Sequence, residues 1–250
     1  PDLHHGEVVQ SARVLGVRVD CVDMAAAVDR VEELVDARAR AALVATVNPE
    51  FVMHARRDDE FRRALEHAGL ALPDGFGVVW ALRRQGCALP DRVTGADLVP
   101  RLAGLCARRG YRLYLLGAAP GVAGRAAERL AAMHPGLEIV GAESGSPLPT
   151  DDAATVAMVN EARPDVLLVA YGHPKQELWV ARNQERLEAR VAVGVGGTFD
   201  FLAGSVRRAP APLQRAHLEW LWRLWLEPWR ARRMAVLPVY AVSVLASRDR

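Results

Sequence analysis

The chain has 250 residues, 51% of them hydrophobic, which suffices for one large α/β domain or a domain and a half and excludes a disordered chain. With 30 acidic against 32 basic residues the formal charge is +2, so composition points neither to a nucleic-acid binder nor to a sink for acidic substrates. Three cysteines, Cys21, Cys87 and Cys106, are odd in number and lack ligand spacing, so neither a disulfide framework nor a zinc site is expected.

The N-terminal stretch shows no basic segment followed by an apolar run, so no signal peptide is expected and a reducing cytoplasm fits. Residues 13–19 (RVLGVRV) read as a short strand, 22–38 as a helix, and the apolar run Ala41–Val47 as a buried strand that stops at Asn48-Pro49. Helical periodicity resumes over 50–68. Leu70–Leu72 then runs into Pro73-Asp74-Gly75, a turn that delivers Asp74 into a loop. Further strands are predicted at 112–116, 137–140, 166–170 and 191–195, with helices at 96–109, 121–133, 152–162 and 176–188 between them. This alternation predicts an α/β fold with a mostly parallel sheet covered by helices on both faces. Ligands in such sheets bind beyond the carboxyl ends of the strands, so the loops there are the ones to read.

The turn Gly117-Ala118-Ala119-Pro120-Gly121 joins a strand to a helix start, an arrangement that lets backbone N–H groups approach phosphate. Its spacing is not GxGxxG, and turn geometry or close helix packing explains such glycines equally well. The cluster Gly172-His173-Pro174-Lys175-Gln176-Glu177 holds the only lysine and more hydrogen-bonding capacity than a capped turn requires. Gly194-Val195-Gly196-Gly197-Thr198-Phe199-Asp200 offers room for a base or ribose and a carboxylate to accept from it; a glycine turn with a capping Thr198 is the alternative. Asp74 is the foremost general-base candidate, against the plain-turn reading of Asp-Gly pairs. Arg92 can clamp a diphosphate or sit in a surface ion pair. No DxD occurs, and Asp58-Asp59 and Asp151-Asp152 read as exposed and helical, so a metal-bridged diphosphate lacks obvious ligands.

Pro210 and Pro212 mark a change of character. From Arg207 onward nine arginines face Glu219, Glu227 and Asp249, a net +6 that leaves −4 for the rest. Trp220, Trp222, Trp225 and Trp229 interleave with Arg223, Arg230, Arg232 and Arg233. Such a segment suits an anionic membrane surface, and also a helix packed on the core with a solvated basic face. The apolar run Met234–Ala246, broken by Pro238, is too short to span a bilayer of about 30 Å, so peripheral attachment is expected. The expected organisation is a body over 1–206 and an appendage over 207–250.

Six blocks in order, Thr46-Val47-Asn48-Pro49-Glu50, Pro73-Asp74-Gly75, Arg92 to Asp97, Gly172 to Glu177, Gly194 to Asp200, and Arg207-Arg208-Ala209-Pro210, resemble the TagA/WecG/CpsF glycosyltransferases. Glu219-Trp220 and Glu227-Pro228-Trp229-Arg230 continue the likeness, which runs from about residue 10 to about residue 235. The resemblance implies a Rossmann-like, inverting, metal-independent transferase without a cofactor. Its donor would be UDP-N-acetylmannosamine or a related UDP-hexose, and its acceptor GlcNAc linked to undecaprenyl diphosphate, in teichoic-acid, exopolysaccharide or other cell-wall synthesis. It implies Asp74 as the base, Thr46, Asn48, Arg92 and Gln176 as pocket residues, and Gly196, Gly197 and Asp200 as the nucleotide side. Arg207, Arg208, Arg223 and Arg230 are further candidates for the diphosphate; His173 receives no role. An NAD-linked oxidoreductase and a non-catalytic membrane-surface module that binds a nucleotide sugar are the competing readings. Oligomeric state, a homo-oligomer included, is left open.

Overall fold

The structure, a computed structural model, describes residues 10–37, 41–89, 91–210, 212–213, 219–226 and 231–247. It opens with β1 (Ser11–Val14) and β2 (Val17–Asp20), an antiparallel hairpin. Sequence reading made residues 13–19 one strand. The chain reverses instead at Leu15-Gly16, where φ is +51° and +88°; paired positive φ values are what a two-residue hairpin turn requires.

α1 (Met24–Asp36) leads into β3 (Ala42–Val47). The predicted helix over 50–68 is two helices, α2 (Pro49–Ala55) and α3 (Asp59–Glu66). Asp58 divides them, since its carboxylate accepts from the Phe61 N–H at 3.0 Å and caps α3. β4 (Leu70–Pro73) is followed by α4 (Phe76–Arg84) and α5 (Gly95–Arg109); then come β5 (Leu113–Gly117), α6 (Val122–Met133), β6 (Ile139–Glu143) and α7 (Asp152–Glu161). β7 (Val166–Ala170), α8 (Lys175–Asn183), β8 (Val191–Gly194) and α9 (Thr198–Leu202) complete the body. In the tail lie α10 (Glu219–Leu226), α11 (Ala231–Met234) and α12 (Val236–Ala246).

Six strands form one parallel sheet in the order β4-β3-β8-β7-β5-β6. Strands such as β5 and β7 are buried along their whole length because helices cover both faces. Along β3, Ala42 and Val44 pack with α1, α5 and α6, whereas Leu43 faces the core under α7 and α8. A third core gathers α2, α3, α4 and the hairpin, and it includes Tyr240 and Val244 of α12. α12 is therefore seated on the body. Its Tyr240 hydroxyl donates to the Gly77 carbonyl at 3.0 Å, and a Cβ on Gly77 would stand 2.9 Å from Pro49 and 3.1 Å from the Tyr240 ring.

Two expectations need correction. Cys21, just past β2, and Cys87, just past α4, have Cα atoms 5.8 Å apart and are joined as a disulfide, while Cys106 is free and buried. Their separation of 66 residues conceals a proximity that arises only when the hairpin packs beside α4. Asp152 is not exposed; it is buried in a two-bond pair with Arg182 at 2.6 and 3.0 Å.

Candidate active site

The loops after β3, β4, β7 and β8 surround a cavity of about 280 Å³. Thr46 enters it from the end of β3 and donates to the Gly194 carbonyl of β8 at 3.1 Å. Asn48 caps α2, its side-chain oxygen accepting from the N–H groups of Glu50 at 2.9 Å and Phe51 at 3.1 Å. That leaves its NH₂ group for a ligand. The run of strand, Asn-Pro and helix thus turns a capping residue toward the site.

Asp74 follows β4, held by its N–H to the Val47 carbonyl at 2.8 Å, and Gly75 at φ +90° turns the chain into α4. The Val93 N–H donates to the Pro73 carbonyl at 2.8 Å, which anchors the Arg92 segment beside the same strand end. Thr94 then caps α5 and donates to the Asp97 carboxylate at 2.7 Å. On the opposite wall, the N–H groups of Gly172 and Gly196 both donate to the Gln176 side-chain oxygen at 3.1 Å.

Asp74, Arg92, Thr46, Asn48, Gln176, Gly196 and Gly197 all line this cavity. Asp200 does not; it lies on α9, where its carbonyl accepts from the Val206 N–H. Arg207 is exposed and also outside the lining; its carbonyl accepts from the Trp222 indole N–H at 3.1 Å. Arg208 is committed elsewhere: its guanidinium grips Asp97 with two bonds at 2.6 and 2.8 Å and donates to Glu219 at 3.0 Å. Arg230 and the Arg223 side chain lie outside the described residues. Glu177, read with its neighbours as a binding cluster, is wholly buried behind the lining, and Thr198 hydrogen-bonds back to the Val195 carbonyl rather than capping a helix.

Sequence reasoning missed Glu219. It reaches in from α10 and pairs with Arg92, so an alternating chain of charges, Asp97, Arg208, Glu219 and Arg92, fastens the tail over the cavity. Burial alone would raise the Asp97 carboxyl, but hydrogen bonds from Arg208 and Thr94 and the charges of Arg208 and Arg92 outweigh it and hold the group below its usual range. Only the Glu219-Trp220 pair within the family pattern hinted at this. Among the described lining residues, Arg92 is the single guanidinium facing the carboxylates of Glu50, Asp74 and Glu219.

A second cavity of about 610 Å³ adjoins the first and is mainly apolar, walled by Phe76, Trp80, Leu237, Tyr240 and Ala241. Asn48, Asp74, Arg92 and Trp220 line both, so Asp74 stands where a polar and an apolar chamber meet. The glycine turn after β5 lies outside both linings. Gly117 has φ +111°, and a Cβ there would come within 2.8 Å of the Ala170 backbone, so close strand packing accounts for it. No group of three or more His, Cys, Asp or Glu arranged to hold a metal ion occurs among the described residues.

A family model described as "Glycosyl transferase WecG/TagA/CpsF family" matches residues 12–250. The chain belongs to this glycosyltransferase family. A protein of Bacillus subtilis (strain 168), named N-acetylglucosaminyldiphosphoundecaprenol N-acetyl-beta-D-mannosaminyltransferase, is 35% identical over 205 residues, covering 82% of this chain and 79% of that protein. A Staphylococcus aureus (strain MRSA252) protein of the same name is 26% identical over 236 residues, 94% of this chain and 92% of its own. As a WecG/TagA/CpsF member the chain is an enzyme of glycosyl transfer, which does not favour the oxidoreductase and non-catalytic readings.

Proposed function

We propose that this chain transfers N-acetylmannosamine, or a closely related hexose, from UDP to GlcNAc carried on undecaprenyl diphosphate, with inversion and without a metal ion. The names of the relatives support this donor sugar and acceptor. The observation that carries the reading is the position of Asp74 at the junction of a polar chamber suited to a nucleotide sugar and an apolar one suited to a lipid-linked acceptor. Asp74 takes the proton from the acceptor hydroxyl as that oxygen attacks the anomeric carbon, and the sugar–diphosphate bond breaks on the opposite face. Arg92 meets the charge that develops on the leaving diphosphate. Because Glu219 occupies Arg92 in this structure, the diphosphate competes with a carboxylate of the tail.

The protein works at the cytoplasmic face of the membrane as a peripheral enzyme in cell-envelope polymer synthesis. On α12, Tyr240 and Val244 face the core while Val239, Val242 and Leu245 are exposed, as are Trp220, Leu221 and Trp225 of α10. An apolar face beside a lipid-accepting chamber suits the headgroup boundary of a bilayer. No helix among the described residues is long and apolar enough to cross one.

The test is incubation with UDP-N-acetylmannosamine and a short-chain GlcNAc-diphosphate-lipid, with and without EDTA, following UDP release and product mass. Acceptor-dependent, EDTA-resistant release with a product one sugar heavier is expected. No transfer across a panel of UDP-sugars would overturn the reading.

A further inference from the structure

β7 and β8 end side by side beneath the polar cavity, and two glycines just beyond them are joined through one atom. The Gln176 side-chain oxygen accepts from both Gly172 and Gly196 N–H groups, each at 3.1 Å. A side-chain amide can do this from one end only. Flipped by half a turn, it would point its NH₂ group at two N–H donors, and both would lose their acceptor.

Glu177 decides the orientation. Its carboxyl oxygen Oε1 accepts from the Gln176 NH₂ at 2.6 Å, so the opposite end of the amide, the oxygen, must face the two loops. The site is built closely: a Cβ on Gly194, at the end of β8, would come within 2.7 Å of both the Gln176 nitrogen and Glu177 Oε1. The strand passes over the pair only because that residue is glycine.

An acid is a costly choice here. Glu177 has 0% of its surface exposed, no salt bridge to it occurs among the described residues, and its second oxygen has no hydrogen-bond partner among them. Burial pushes its carboxyl up to about 8, against which the hydrogen bond from Gln176 and its own backbone N–H work, so at neutral pH it keeps its proton. Stability alone would favour an apolar side chain at such a position. What an apolar side chain cannot supply is the acceptor that aims Gln176.

We propose that Glu177 is a positioning residue for glycosyl transfer, fixing the Gln176 amide so that the loops after β7 and β8 keep their spacing beside the donor cavity. This rests on the proposed transferase reading, and its test includes a readout that does not.

Two variants separate aiming from packing. E177M removes the acceptor and fills the space; E177Q keeps an sp² oxygen for the Gln176 NH₂. In E177M, amide exchange at Gly172 and Gly196 is expected to quicken at least tenfold and the donor KM to rise or kcat to fall at least tenfold, while Tm is equal or higher. E177Q restores slow exchange and brings both kinetic constants to within about threefold of the parent. E177M with parental exchange, or E177Q as impaired as E177M, would overturn the proposal. If the parent protein transfers no sugar, the transferase reading fails, and exchange at the two glycines still decides whether Glu177 aims the amide.

Discussion

Replacing Arg208 with alanine is expected to loosen the tail from the cavity without unfolding the body. Arg208 makes three charge-assisted bonds, two to Asp97 at 2.6 and 2.8 Å and one to Glu219 at 3.0 Å. Bonds of this kind contribute about 1.5–3 kcal/mol each when well buried. Here the Arg208 side chain is 26% exposed and that of Asp97 42%, so solvent screening reduces each to roughly 0.5–1 kcal/mol. Only the bond to Glu219 reaches α10 itself, and Arg92 still holds that carboxylate, so the docking of α10 shifts by roughly 0.5–1 kcal/mol, about two- to fivefold. Hydrogen exchange across residues 219–226 reads this directly, and R208K is expected to recover only part, because an ammonium cannot form the paired bonds. Lowered pH acts in the same direction. The Asp97 carboxyl is depressed, so its contribution is present above the ordinary carboxylate range and is lost as pH falls through its lowered value. Unchanged exchange in α10 of R208A would refute the argument that this charge chain holds the tail.

D74N is expected to lower turnover by about 10²- to 10⁴-fold with UDP binding retained, since the amide keeps the size of the carboxylate but cannot take up the proton; near-normal turnover would remove Asp74 as the base. Reducing the Cys21–Cys87 disulfide opens a loop spanning 66 residues and is expected to lower stability by about 4 kcal/mol, read as a shift of the urea midpoint with and without reductant. The parent protein should lose stability as pH rises from the ordinary glutamate value of 4.5 toward about 8, because folding keeps a proton on Glu177 that the unfolded chain releases. The slope is about 1.4 kcal/mol per pH unit in that window. Denaturant titrations of E177Q should show that component absent.

Much of the sheet was legible because buried parallel strands are nearly continuous apolar runs. Val166–Ala170 coincides with its prediction, and the other core strands deviate by one to three residues at their ends. The errors fall where a local signal was weak or was outvoted by longer-range packing. Leu15-Gly16 is not among the asparagine- or aspartate-glycine turns that announce a hairpin, so two strands read as one. Gly75, which precedes α4, offers no side-chain cap, and the turn signal there obscured a helix start. The cysteine pair is a product of topology, and no spacing rule anticipates two elements meeting after the sheet has formed.

The site shows the same division at finer grain. Residues at strand ends were legible: Thr46, Asn48, Asp74 and Gln176 converge because a parallel sheet gathers the loops at its carboxyl edge. The tail was legible only as a sum. Counting nine arginines against three acids suggested a surplus of positive charge for the leaving diphosphate. The structure places one of those arginines between Asp97, 111 residues away in the chain, and Glu219, and that same glutamate neutralises the guanidinium the site was expected to offer. Net charge along a sequence cannot register pairing across the fold. The consequence is chemical: among the described lining residues Arg92 is the single guanidinium, so a diphosphate that pairs with it must displace Glu219, and binding of the proposed donor would compete with the seating of α10. E219Q should therefore raise donor affinity while weakening α10 docking, and a loss of both together would mean that Glu219 serves to hold Arg92 in place.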